Sequence, residues 1–261
     1  MVNNIESPQL PLLAATGLCK SFGGIQAVKD ANIEVAKGSI TGLIGPNGAG
    51  KTTLFNLLSN FIHPDKGRVI FAGEPIHNLQ PYQIAQKGLI RTFQVARTLS
   101  RLSVLENVLL AAQKQTGENF WQVQFQPHVV AKEEKQLKER AMFLLEFVGL
   151  EKKANDYAGG LSGGQRKLLE MGRALMTNPK LILLDEPAAG VNPRLIDDIC
   201  DRILKWNRED GLTFVIIEHN MDVIMSLCDR VWVLAEGQNL AVGTPTEIQS
   251  NPKVLEAYLG Q

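Results

Sequence analysis

Short apolar runs alternate with helically spaced segments toward both ends of this 261-residue chain. Ile40–Ile44, Arg68–Phe71, Leu181–Leu184, Thr213–Ile217 and Arg230–Leu234 read as strands, several of them apolar enough to be buried on both faces. Strands of that kind followed by helices predict parallel pairing in an α/β fold. From about residue 95 to residue 176 the strand runs give way to helical spacing over 102–113, 132–148 and 163–176, which predicts an all-helical insert. The segment 113–128, rich in glutamine and aromatics but poor in period, reads as a surface loop with short helical turns. Mixed charges at Lys132, Glu133, Glu134 and Lys135, and again at Lys138, Glu139 and Arg140, mark a solvated helix face.

Composition narrows the function classes. No apolar run exceeds five residues, against roughly 20 for a membrane-spanning helix, so the chain is not expected to cross a membrane. Its start, Met-Val-Asn-Asn-Ile-Glu-Ser-Pro, lacks the basic and apolar regions of a secretory signal, so a cytoplasmic location is expected. Lys and Arg together number 27, as do Asp and Glu, and a neutral chain excludes a nucleic-acid binder held by bulk positive charge. Cys19, Cys200 and Cys228 form no C-x-x-C and His63, His77, His128 and His219 do not cluster, which argues against a disulfide framework and a zinc site.

The strongest chemical signal follows the first buried run. Gly45, Pro46, Asn47, Gly48, Ala49, Gly50, Lys51 and Thr52 satisfy G-x-x-x-x-G-K-[ST], with a strand before and a helix-like Thr53–Leu58 after. The glycines let the backbone turn with its amides inward, so a polyphosphate meets N–H groups and the positive end of the next helix. Lys51 would neutralise the β- and γ-phosphates, and the Thr52 hydroxyl would face the bridging Mg²⁺. Downstream, Leu181–Leu184 ends in Asp185 and Glu186; a strand parallel to the first delivers both to the same sheet edge. Asp185 then suits the metal's hydration shell, and Glu186 suits the general base that polarises water. Taken alone, two acids capping an exposed strand end would read the same way.

A second anion site is written into Leu161-Ser162-Gly163-Gly164-Gln165, where Ser162 is placed as an N-cap and two glycines add backbone access for a phosphate-sized nest. If the insert projects from the core, this clamp would act on the phosphate loop of a second copy turned head to tail.

Gly45–Thr52, Leu161–Gln165 and Leu181–Glu186, in that order along the chain, resemble the ATP-binding cassette (ABC) ATPases, and Leu161–Gln165 is nearly diagnostic of that family. The likeness runs from about Leu13 to Ala257. It implies a single cassette over 10–258: a P-loop NTPase (RecA-like) core with a parallel sheet, 10–93 and 178–258, an antiparallel β region near the N-terminus, and an inserted all-helical signature subdomain over 94–177. It implies ATP and Mg²⁺ as ligands, a nucleotide set extending from Gly45 to Thr53 and including Ser162, Gly163, Gly164 and Gln165, and metal contacts from Thr52, Gln94 and Asp185. Phe22 resembles the aromatic that stacks on adenine, Gln94 the Q-loop glutamine and His219 the switch histidine that acts with Glu186. Read from the residues alone, Phe22 could equally fill a core, Gln94 be a solvated hinge residue and His219 a helix cap. Asn192 departs from the family, where most members carry Asp in this D-loop position.

The Arg91-Thr92-Phe93-Gln94 segment, the D-loop and the long helical insertion resemble the branch that imports branched-chain and neutral amino acids. That branch implies a second cassette, integral membrane permease subunits, a substrate-binding protein and a peripheral position on the cytoplasmic face of the inner membrane. A cassette serving urea, amides or lipid stays open as an alternative, as does a soluble clamp ATPase, although no long heptad arm supports the latter. A GTPase would need the N-K-x-D motif, which does not occur.

Overall fold

The computed structural model describes residues 10–92, 98–113, 115–118 and 120–259. Two sheets carry the α/β fold. The larger has the order β10-β9-β3-β8-β7-β6, formed by β3 (Ile40–Ile44), β6 (Leu89–Arg91), β7 (Leu181–Asp185), β8 (Thr213–Ile217), β9 (Arg230–Ala235) and β10 (Gln238–Gly243). All its pairs are parallel except β9 with β10, which form an antiparallel edge hairpin. The smaller sheet is antiparallel, ordered β2-β1-β4-β5, from β1 (Leu13–Phe22), β2 (Ile25–Val35), β4 (Lys66–Phe71) and β5 (Glu74–Pro75).

The apolar runs at 40–44, 181–184, 213–217 and 230–234 are therefore strands of the parallel sheet. Arg68–Phe71 is also a strand, but the expectation of parallel pairing fails there: it lies within β4 and pairs antiparallel with β1 and β5. The β1–β2 hairpin escapes a reading based on apolar runs because its period of two is broken. The register shifts repeatedly between Ala15 and Ser21, and Gly17 and Asp30 adopt φ of 65° and 53°.

Ten helices complete the chain: α1 (Lys51–Leu58), α2 (Pro81–Lys87), α3 (Val104–Leu109), α4 (Phe120–Phe125), α5 (Pro127–Phe147), α6 (Gly163–Met176), α7 (Pro193–Asp210), α8 (Met221–Leu227), α9 (Pro245–Gln249) and α10 (Pro252–Leu259), counted among the described residues. The helix expected over 102–113 is shorter. Ser103 caps α3 through a capping box with Glu106, so the first turn starts there. The stretch 113–128 is more helical than expected: it holds a 3₁₀ turn at Thr116–Glu118, all of α4, and the start of α5, where Pro127 occupies the first turn.

Alternation along the central strands divides the apolar interior in two. Ile44, Ile182, Leu184, Phe214 and Ile216 join a core that runs on through Val104, Ala141, Leu145, Leu169 and Ile203 of the surrounding helices. Leu43, Leu181, Leu183, Val215 and Ile217 point the other way, against Leu54, Phe55 and Leu58 of α1 and Leu13, Ile33 and Phe71 of the antiparallel sheet. With both faces covered, the carboxyl edge of these strands is where an α/β sheet places its ligands.

Candidate active site

Register brings three loops off that edge at one level. Leu43 and Asp185 both pair with Ile217, so the chain leaves β3 at Gly45, β7 at Glu186 and β8 at Glu218 side by side. Gly45 has φ of 151°, and a Cβ there would lie 2.0 Å from the Leu234 carbonyl oxygen; at Gly50, with φ of 95°, a Cβ would lie 2.4 Å from the Ala27 oxygen. Both positions are closed to any side chain. Gly48, by contrast, faces open space and is needed for its φ of 75°. Gly50 is the N-cap of α1 and carries no side chain to take up the first amides.

Lys51 is buried, and its Nζ donates to the carbonyls of Gly45 and Pro46 at 2.7 and 2.9 Å. Burial pulls its pKa below the ordinary lysine value, while the charges of Glu186 and Asp185 pull it back up. Lys51 thus shares one electrostatic site with the two acids, and Thr52 stands exposed at the start of the helix.

Asp185 is 5% exposed and meets the Arg91 guanidinium at 3.1 Å between Nη2 and Oδ2. Burial raises the Asp185 pKa, and the hydrogen bond and charge of Arg91 oppose that rise. Arg91 also donates to Asn56 on α1 and lies over the rings of Phe55 and Phe61, each 5.8 Å from the guanidinium carbon. Glu186 adopts a left-handed φ of 51°, a conformation that costs a non-glycine residue about 1–3 kcal/mol and is kept where surrounding contacts enforce it. Its Oε1 lies 3.0 Å from Nε2 of His219. The carboxylate of Glu218 is buried and accepts from the amides of Ala188 at 2.7 Å and His219 at 3.1 Å, tying the two loops together.

Several alternatives close. Phe22 is no core residue: it is 46% exposed at the end of the β1–β2 hairpin, beneath the Lys20 ammonium at 5.6 Å from the ring centre. His219 does not cap α8, because Asn220 does so by accepting from Asp222 N–H. Asn192 caps α7 by accepting from Leu195 N–H at 2.9 Å, a task that needs the side-chain oxygen and no charge. Gln94 lies outside the described residues.

The signature segment is built differently from the expected nest. Ser162 and Gln165 form a reciprocal capping box, with Gln165 N–H on Ser162 Oγ at 3.2 Å and Ser162 N–H on Gln165 Oε1 at 3.0 Å. Gly163 and Gly164 are the first helical residues of α6, and neither has a positive φ. Gly164 is small for packing, since a Cβ would lie 2.2 Å from Leu195 Cδ2, whereas Gly163 is open.

Sequence reasoning missed Arg91 and Glu218 as parts of the site. Each had one signal: a single charge closing an otherwise apolar strand, next to a named motif.

A strand, a glycine-closed loop with a buried lysine, and an acid pair on a parallel neighbour define a P-loop NTPase edge. The family model for "ABC transporter" matches residues 28–189, and the chain belongs to that family and is an ATPase of its ATP-binding cassette class. Residues 238–261 match a second family model, described as "Branched-chain amino acid ATP-binding cassette transporter". The chain is 41% identical over 96% of its length to the high-affinity branched-chain amino acid transport ATP-binding protein BraF of Pseudomonas aeruginosa, covering 98% of that protein. It is 38% identical to LivG, of the same description, from Escherichia coli, over 96% of this chain and 98% of that one. Among solved structures, a nucleotide-free ATP-binding cassette from an ABC transporter superposes with a TM-score of 0.82 at 40% identity, covering 97% of this chain and all of that one. A dimeric bacterial ABC transporter cassette superposes with a TM-score of 0.74 at 26% identity, over 89% of this chain and 98% of that one.

Proposed function

We propose that this cassette is the ATP-hydrolysing motor of an importer for branched-chain and other neutral amino acids, working through separate membrane permease subunits and an upstream substrate-binding protein. The Glu186–His219 hydrogen bond at 3.0 Å, set at the sheet edge among the charges that surround Lys51, carries the chemical part of this reading. The names of the relatives support the cargo.

In the proposed reaction, the amides from Gly45 to Thr53 cradle the polyphosphate and Lys51 turns from the Gly45 and Pro46 carbonyls to the β- and γ-phosphates. The exposed ring of Phe22 stacks on adenine. Thr52 and Asp185, with Gln94, are the Mg²⁺ contacts. The hard oxygens of Thr52 and Asp185 fit that ion, which the phosphates and water would complete. When bound, Mg²⁺ would neutralise charge on the β- and γ-phosphates. Glu186 takes the proton of the attacking water, and His219 orients Glu186 and the water. Ser162, Gly163, Gly164 and Gln165 clamp the γ-phosphate held by a second cassette, identical or homologous, turned head to tail.

The single cassette spans about 10–258, and its helical part, about 94–177, moves with the nucleotide through Gln94. No helix among the described residues is long and apolar enough to cross a membrane; the proposed place of the chain is peripheral, on the cytoplasmic face of the inner membrane, held there by the permease subunits. Glu186→Gln is the chemical test: hydrolysis should fall about 10²- to 10⁴-fold while ATP is retained and a dimer accumulates. Near-normal turnover removes Glu186 as the base. Uptake of leucine, isoleucine and valine by cells lacking the chain tests the cargo, and unchanged uptake would sink it.

A further inference from the structure

One side chain on the signature helix reaches the loop that carries Glu186. Lys167 stands five residues after the N-cap Ser162, on the flank of α6, and is half-buried. Its Nζ donates to three backbone carbonyls of the loop after β7: Glu186 at 2.8 Å, Pro187 at 3.3 Å and Ala189 at 2.5 Å. Carbonyls that converge on one point repel one another, and an ammonium with its three donors is the group that satisfies such a cradle.

The loop has a matching hold on its other side. Glu186 N–H donates to the Ile217 carbonyl at 3.0 Å, and Glu218 accepts the Ala188 amide at 2.7 Å. Lys167 and Glu218 therefore grip the 186–189 segment between α6 and the end of β8. Within that grip Glu186 keeps its left-handed φ of 51°, from which its carboxylate meets His219. The Glu186 carbonyl that Lys167 engages follows the strained Cα directly. Loss of the ammonium leaves three carbonyls uncompensated at the point where the strain has to be enforced.

We infer that Lys167 is a positioning residue for hydrolysis: its ammonium, cradled by the Glu186, Pro187 and Ala189 carbonyls, holds the Glu186 carboxylate in place and fastens the loop to the signature helix of the same chain. The inference rests on the proposed role of Glu186 as base. It differs from a phosphate-binding role for this region, because Lys167 spends its donors on backbone oxygens of its own chain.

The full-length purified chain tests it through ATPase kinetics. In Lys167→Met, kcat should fall about 10-fold or more while KM changes less than about 3-fold, since geometry at the base is lost and binding is not. Lys167→Cys should be equally slow, and alkylation with 2-bromoethylamine, which rebuilds a side chain of the same length with sulfur in place of the γ-methylene and the ammonium at its end, should restore kcat to within about 3-fold of the parent. Cys200 and Cys228 are pushed up to about 11 and about 12 by burial and stay protonated near pH 8.5, and the alkylated parent chain controls for Cys19. The Cys pair carries the same comparison if the Met variant does not fold.

On a Glu186→Gln background, Lys167→Met should cost no further activity, and the ATP-dependent dimer seen by gel filtration should persist. An unchanged kcat in Lys167→Met, failure of aminoethylation to restore it, a multiplied loss in the double variant, or loss of the ATP-dependent dimer would each overturn the inference. The last of these would place Lys167 in the ATP clamp instead. Near-normal turnover in Glu186→Gln alone is a separate result: it removes the base assignment, and with it the object that Lys167 is said to position.

Discussion

Two helices of this cassette begin where phosphate is proposed to sit, and their first turns are made by opposite means. At α1 the cap is Gly50 in a left-handed conformation, with no side chain to receive the first amides and a buried lysine folded back on the loop carbonyls. At α6 the cap is Ser162 in an extended conformation, and its hydroxyl and the Gln165 amide group satisfy each other's backbone donors. The first start is shaped by backbone packing and keeps its donors in reserve for an anion. The second is self-sufficient in the free chain. That contrast fits a ligand held continuously by one loop and met only intermittently by the other, when a second subunit presents it.

The comparison breaks most severely at the backbone. Gly50→Ala places a Cβ on the Ala27 carbonyl, so nucleotide binding should be abolished and the unfolding free energy should fall by about 3 kcal/mol or more. Equilibrium ATP binding and urea unfolding check both, and a variant that kept both would show that α1 does not depend on its glycine. Ser162→Ala removes a side-chain cap and should cost about 1 kcal/mol of stability while leaving the ATP affinity of an isolated cassette unchanged. Weakened binding there would mean that the signature turn serves its own chain's nucleotide. The smallest expected effect is a titration. Burial holds the Lys51 pKa below the ordinary lysine value, so its charge is lost earlier as pH rises, and ATP affinity should decline at a pH below that at which an ordinary lysine loses its proton. A flat profile in binding isotherms would mean that Lys51 does not bear on the phosphates.

Much of this was legible in the sequence because the central strands are continuous apolar runs and the phosphate loop is a contiguous motif. Ile40–Ile44 and Thr213–Ile217 were readable to the residue, and Ser162 could be placed as a cap from its position before the helical spacing. The β1–β2 hairpin was legible only through family resemblance, since bulges at Gly17 and Asp30 erase its alternation. Arg91 meeting Asp185 and Glu218 bridging two loops depend on strand order, with β8 inserted between β3 and β7, and strand order is not carried by any local pattern. Gly164 shows a subtler limit: from the sequence it reads as backbone access for a phosphate, and only the approach of Leu195 to it shows that its smallness also serves packing.

The core that joins the parallel sheet to α3, α5 and α6 has a further consequence for how the molecule can move and melt. Residues such as Ile182 and Leu184 share one uninterrupted apolar cluster with Val104, Ala141 and Leu169. Small sliding displacements of these helices keep the cluster covered, whereas lifting them away would open it to water. Shear is therefore the natural displacement of these helices, in preference to a hinge that opens a gap. By the same token, heating should give one calorimetric transition for sheet and helices together, with equal van't Hoff and calorimetric enthalpies.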